Sequence, residues 1–114
     1  MEQPLSVTDL IANPAAYDGQ RVEVVGFLIY ARENIALYPI ASRDRSPAEA
    51  IWLVHPAIVH GERQTRLLDR RWIRIVGTFH RRNRPRYPGD LSNIQAIERQ
   101  DEASMEKSHR DDSQ

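Results

Sequence analysis

The side chains with most chemical potential crowd into one stretch. Residues 63–86 carry nine arginines (Arg63, Arg66, Arg70, Arg71, Arg74, Arg81, Arg82, Arg84 and Arg86) against the single acid Asp69, a net of +8. Residues 1–62 hold four arginines against eight acids and residues 87–114 three bases against seven, so each flank contributes −4 and the chain is neutral overall. Such local asymmetry matters more for binding a polyanion than the overall isoelectric point does. Two readings follow. The arginines form a footprint for phosphates, or they solvate an exposed face and pair with the acidic flanks, in which case each pair is worth little.

The ingredients of catalysis are thin. There is no cysteine, which excludes disulfides, thiolate metal sites and cysteine nucleophiles. His55 and His60 stand five apart across a Pro/Gly-containing segment with Glu62 nearby, short of the three or four converging ligands a zinc site needs. The five glycines are scattered singly, with no phosphate-cradling loop, and no nucleophile elbow occurs. The expectation is a non-enzyme with no catalytic residue, metal or cofactor. Residues MEQPLSVTDL do not read as a signal peptide. No apolar run approaches the roughly 18–20 residues of a membrane span. The chain therefore reads as a soluble, cytoplasmic domain without a membrane partner.

The elements that must position the arginines are mostly strands. Ser6 is placed to N-cap a helix over residues 7–12, with Asp9 closing a capping box. Asn13-Pro14 ends that helix, and a loose turn leads through Tyr17 to Asp18-Gly19. Strands are predicted at 21–30, 35–40, 51–55, 72–80 and 91–99 from their period-two apolar alternation. Gly26, within the first strand, marks a bend that lets one strand serve two sheets. Residues 56–70 are ambiguous, and 81–90 read as a loop stiffened by Pro85 and Pro88. VEVVG at 22–26 is echoed by IRIVG at 73–77, with Asp18 and Asp69 ahead of each. Two copies are too few for a stacked repeat, so the echo predicts two similar strands in one barrel. Residues 1–100 read as the single domain and the polar residues 101–114 as a disordered tail.

The pattern Asp9-Leu10, Asn13-Pro14, Tyr17-Asp18-Gly19, Val22-x-Val24-Val25-Gly26, then Leu68-Asp69, Ile73-x-Ile75-Val76-Gly77-Thr78-Phe79 and Leu91-Ser92-x-Ile94-x-x-Ile97 resembles small bacterial OB-fold domains of the tRNA-anticodon-binding-like type, many of them uncharacterised. The resemblance spans roughly residues 6–98. It implies an all-β fold, a five-stranded Greek-key barrel with one short N-terminal helix, whose second and third strands and flanking loops form the ligand face. Pro56 and Gly61 break the segment where many such domains place a plugging helix, which passes that role to residues 7–12.

If Ile35, Leu37, Ile51 and Leu53 point inward, Tyr38 and Trp52 point outward as stacking platforms for bases. The opposing reading buries Trp52 in the core and leaves Tyr38 and Tyr87 at a rim; Trp72 falls at a barrel end. The expected function is a non-catalytic binding module for single-stranded DNA or RNA, engaging Tyr38, Trp52, Arg74, Arg81, Arg82, Arg84, Arg86 and Tyr87 through phosphate pairing and base stacking. The alternative is a protein-interaction module taking an acidic partner or a second copy, since Arg, Trp and Tyr also dominate protein interfaces.

Overall fold

The computed structural model describes residues 4–31, 34–41, 47–84 and 87–100, with the backbone alone for residues 47 and 82–84. The described elements run β1 (Leu5–Ser6), α1 (Val7–Ala12), α2 (Pro14–Tyr17), β2 (Arg21–Ala31), β3 (Asn34–Tyr38), β4 (Ile51–Leu53), α3 (Glu62–Arg66), β5 (Trp72–Arg84) and β6 (Tyr87–Arg99). Short 3-10 turns occupy Pro47–Glu49 and Pro56–Ile58. The sheet order is β1-β2-β3-β4-β6-β5, and β5 returns to pair with β2. Strands β2 to β6 thus close a five-stranded OB-type barrel, with parallel pairing of β4 to β6 and antiparallel pairing elsewhere. The two-residue β1 lies outside, parallel to β2. Among the described residues no helix is long and apolar enough to cross a membrane.

Period-two alternation places the core. Val22, Val24 and Leu28 of β2, Leu37 of β3, Ile51 and Leu53 of β4, Ile73, Ile75 and Phe79 of β5, and Leu91 and Ile97 of β6 all belong to one buried cluster. Burying each such side chain contributes roughly 1.5–3 kcal/mol. The capping box of α1 is formed: the Asp9 N–H donates to Ser6 Oγ (3.0 Å) and the Ser6 N–H donates to Asp9 Oδ2 (3.1 Å). That helix buries Val7 and Leu10 completely, whereas α3 buries only Thr65.

Strand β2 does serve two partners, pairing with β5 over Arg21–Phe27 and with β3 over Phe27–Ala31. The switch falls beside Gly26 because α1 and β3 close on it there. A Cβ at Gly26 would lie 2.5 Å from Leu37 Cγ and 2.7 Å from Val7 Cγ2.

The echoing segments turn out to pair with each other. Val22 lies opposite Gly77, Val24 opposite Ile75 and Gly26 opposite Ile73. The contacts around them repeat as about a two-fold axis. Gly19 N–H donates to the Phe79 carbonyl, and Arg70 N–H to the Leu28 carbonyl, both at 2.7 Å. Phe79 N–H donates to the Gln20 carbonyl, and Leu28 N–H to that of Arg71. Asp18 Oδ1 accepts from the Arg81 N–H (3.1 Å), and Asp69 Oδ1 from the Tyr30 N–H (2.7 Å). Gly19 and Arg70 both take positive φ, 79° and 61°. Each aspartate thus caps the far strand at the point where its ladder runs out.

The helical content exceeds the single helix expected: the loose turn after Pro14 closes into α2, and the ambiguous 56–70 segment yields a 3-10 turn and α3. The expected loop at 81–90 is largely strand, since β5 continues to Arg84 and β6 already begins at Tyr87. Pro88 is accommodated because the ladder is irregular there: Arg81 faces Gly89 and Arg84 faces Tyr87, leaving β5 one residue in excess. The expectations for residues 42–46 and for the tail at 101–114 lie outside the described residues.

Gly26→Ala is expected to lower stability by roughly 1–3 kcal/mol through overpacking against Leu37 and Val7, measured by chemical denaturation. Asp69→Ala is expected to cost about 1–3 kcal/mol, because it strands the half-buried Tyr30 N–H. Asp18→Ala, at the exposed equivalent, is expected to cost less in the same measurement, and equal losses would contradict this assignment.

Candidate nucleic-acid interface

The side chains of β2 and β3 that alternate away from the main core do not all reach solvent. Ile29, Ala36 and Tyr38 join Ala50 in a second buried cluster on the outer face, with Phe27 and Tyr87 packed against it. Tyr38 is only 2% exposed. Its expected role as an open stacking platform is therefore corrected: it does point away from the barrel interior, but Ala50 and the neighbouring rings cover it.

Polar atoms under this cover are held by Asn34. Its Nδ2 donates to the Tyr38 hydroxyl (2.9 Å), and its Oδ1 accepts from the Tyr87 hydroxyl at 2.9 Å and from that of Tyr38 at 3.2 Å. One amide at the start of β3 thus ties a buried tyrosine to the first residue of β6. Composition gave no sign of this role; only the meeting of β3 with the β5–β6 hairpin creates it.

Both tryptophans are half-buried on this outer face. Trp52 lies against Tyr87 with ring centroids 5.4 Å apart and planes tilted by 51°. Trp72 meets Phe27 edge-on, at 5.7 Å and 68°. Neither indole is interred, and each keeps part of its surface in solvent. The tilted and edge-on geometries are those aromatic quadrupoles prefer, which helps fix the rings in place.

The arginines divide. Arg74 lies between Glu23 on β2 and Glu98 on β6, 2.5 Å from the Glu23 carboxylate and also hydrogen-bonded to Glu98. Hydrogen bonds to Glu98 first and Glu23 second hold its guanidinium pKa above the ordinary arginine value. A cation already held by two carboxylates has little left for a phosphate, so Arg74 is withdrawn from the candidate site. Cross-strand register explains it: Arg74 pairs with Glu98 on one side and with Val25, two residues from Glu23, on the other. Arg81 is half-exposed, with Nε 3.8 Å from Asp18 Oδ2, a loose surface pair. Arg82 and Arg84 follow it on β5. Arg86 lies outside the described residues. Arg84 stands opposite Tyr87 in the ladder, which brings the basic hairpin alongside the Trp52–Tyr87 pair.

A groove continues from that pair. Tyr30 and Ile35 wall a cleft of about 250 Å³ shared with Trp52, His55 and Pro56. The same two residues border a second cleft of about 580 Å³ that reaches Glu62, Arg66 and Asp69. Tyr30 lines both clefts without any local sequence signal for it; its N–H donates to Asp69, thirty-nine positions away. His60 Nε2 lies 3.0 Å from the Ile97 carbonyl, and among the described residues no three His, Asp or Glu side chains converge as metal ligands would.

No family model and no curated protein matches the chain.

Asn34→Ala is expected to lower stability by about 1–3 kcal/mol, since it removes a partner from the buried Tyr38 hydroxyl. It is also expected to alter the near-ultraviolet circular dichroism, as the Tyr87 ring loses its anchor against Trp52. Unchanged stability and ring signals would contradict the clamp.

Proposed function

We propose that this domain is a non-catalytic module that binds single-stranded nucleic acid on the outer face formed by Trp52 and Tyr87 and along the β5–β6 hairpin that carries Arg81, Arg82, Arg84 and Arg86. The observation that carries the reading is the register: Arg84 faces Tyr87, and Tyr87 lies on Trp52. The strand that carries the arginines thus runs beside the rings in the ladder, which supports the two requirements for sequence-tolerant binding of a single strand, cations along the phosphates and aromatic faces for the bases. Each stacked base contributes on the order of 1–3 kcal/mol. Tyr38 supports the surface from below, and Arg74 belongs to the ion-pair network of the barrel wall. The same reading takes the chain to be of the tRNA-anticodon-binding-like OB type, which its closed five-stranded topology supports.

The test is fluorescence anisotropy with a labelled single-stranded oligonucleotide across a salt series. Changing Arg82, Arg84 and Arg86 together to Ala is expected to weaken binding and to make the log–log salt dependence shallower by about 2, at roughly 0.7 for each single-strand phosphate deprived of its cation. Trp52→Ala is expected to weaken binding by about ten-fold, equivalent to the removal of one stack. Arg74→Ala is expected to leave the salt dependence unchanged. No binding at low salt, or an unchanged affinity in the triple variant, overturns the reading in favour of a protein-docking role for the same rings.

A further inference from the structure

We infer that the two clefts meeting at Tyr30 and Ile35 hold the 3′-terminal ribonucleoside of a bound RNA strand, with its 2′,3′-diol on Asp69. The site rests on the single-strand binding proposed above and makes that strand an RNA with a free hydroxyl end. Trp52 joins the parts. Its ring lies 5.4 Å from that of Tyr87 and also lines the smaller cleft, of about 250 Å³, with Tyr30 and Ile35. Tyr30 and Ile35 then wall the larger cleft, of about 580 Å³, with Glu62, Arg66 and Asp69. The shared walls make one path from the aromatic pair to a chamber within the roughly 300–1,000 Å³ of small-molecule sites. Both shared residues are half-buried and packed against the main core, so the walls are set before a ligand arrives.

The chemistry changes along this path. The larger cleft is lined by two carboxylates and one guanidinium, a net of one negative charge. Its cation is already used, since Arg66 lies 2.7 Å from Glu62. Asp69 Oδ1 accepts from the Tyr30 N–H at 2.7 Å, which fixes the carboxylate in place. Among the described residues that carboxylate makes no other hydrogen bond or ion pair. It keeps acceptor capacity, because an ionised carboxylate offers about four lone-pair sites. Such a lining suits hydroxyl donors and repels phosphate.

Charge therefore selects an end of the strand. A strand passing through the chamber would place a phosphate against Asp69 and Glu62, whereas a strand that stops there places only its terminal hydroxyls. In an RNA chain the 3′-terminal nucleoside alone has both vicinal hydroxyls free, and both can donate to one carboxylate. DNA lacks the 2′-hydroxyl, the group by which proteins tell the two apart. A 3′-phosphorylated end loses the other donor and adds charge. The terminal base takes the walls of Tyr30, Ile35 and Trp52. The phosphates lie on the far side of Tyr87, which Arg84 faces in the ladder.

The test compares 5′-labelled RNAs of one sequence by fluorescence anisotropy with the full chain: one ending in the diol, one in a 2′-deoxynucleotide and one in a 3′-phosphate. The diol form is expected to bind about ten-fold more tightly than either, the effect of one hydrogen bond to a charged group. Asp69→Asn keeps an oxygen for the Tyr30 N–H but puts a donor where the free acceptor was, and is expected to abolish the preference for the diol over the deoxy end. Glu62→Gln, at an exposed position, releases Arg66 and is expected to bring the 3′-phosphate RNA closer to the diol form; it keeps the proposal testable if Asp69→Asn disturbs folding. Free adenosine, which brings no phosphates, is expected to bind more weakly than the diol RNA. Equal binding of the three RNAs overturns the strand-end site and leaves single-strand binding standing, whereas no binding by any of them overturns both. Adenosine binding as tightly as the diol RNA assigns the clefts to a free nucleoside and overturns the strand-end site.

Discussion

The antiparallel ladder between the first half of β2 and β5 closes the barrel, and the other features depend on that closure. Without it the sheet would be an open ribbon with long edges, exposing unpaired backbone donors and acceptors. The ladder joins two segments of nearly the same sequence pattern, and each is ended by the same device: an aspartate that accepts from the far strand and a residue in the left-handed region that turns the chain back. Because one solution is used twice, the closing seam is capped at both ends, and the strands that continue past it are free to diverge. Strand β2 goes on to pair with β3, and β5 goes on to form the hairpin with β6.

That divergence creates the outer face. Beyond the seam, side chains that alternate outward are covered by Ala50 and by rings rather than by water, so the barrel has a small second core on its outside. Tyr38 is sacrificed to it, its hydroxyl held by Asn34. In return Tyr87 is locked against Trp52, and the two rings present a rigid, half-open aromatic surface. Rigidity matters for binding, because side chains fixed beforehand lose less freedom when a ligand arrives.

Charge follows the same geometry. The arginines form one block along the chain but are spread over different surfaces by the fold. Arg74 is drawn into the barrel wall by carboxylates from the strands on either side, Arg66 is satisfied one turn along α3, and Arg81 leans loosely on Asp18. The acidic flanks are therefore structural partners for some of the arginines.

The barrel was legible in the order of residues alone. Period-two alternation, the capping box at Ser6 and Asp9, the bend at Gly26 and the echo at residues 73–77 are local or pairwise signals, and each reports a steric or solvation requirement that holds wherever the segment lies. That order left Trp52 between an outward and a buried position, and the ladder leaves it half-buried between the buried Ile51 and Leu53. Which outward side chains are covered, and that Arg74 is neutralised, depended instead on how the strands meet in space. Tyr38 is buried by Ala50 and by rings from other strands, Arg74 is neutralised by Glu23 and Glu98 from strands that are distant along the chain, and residues 81–84 extend β5 because the start of β6 is there to pair with them. Burial and charge pairing are properties of neighbours in space, and no period or spacing within a segment encodes who those neighbours are.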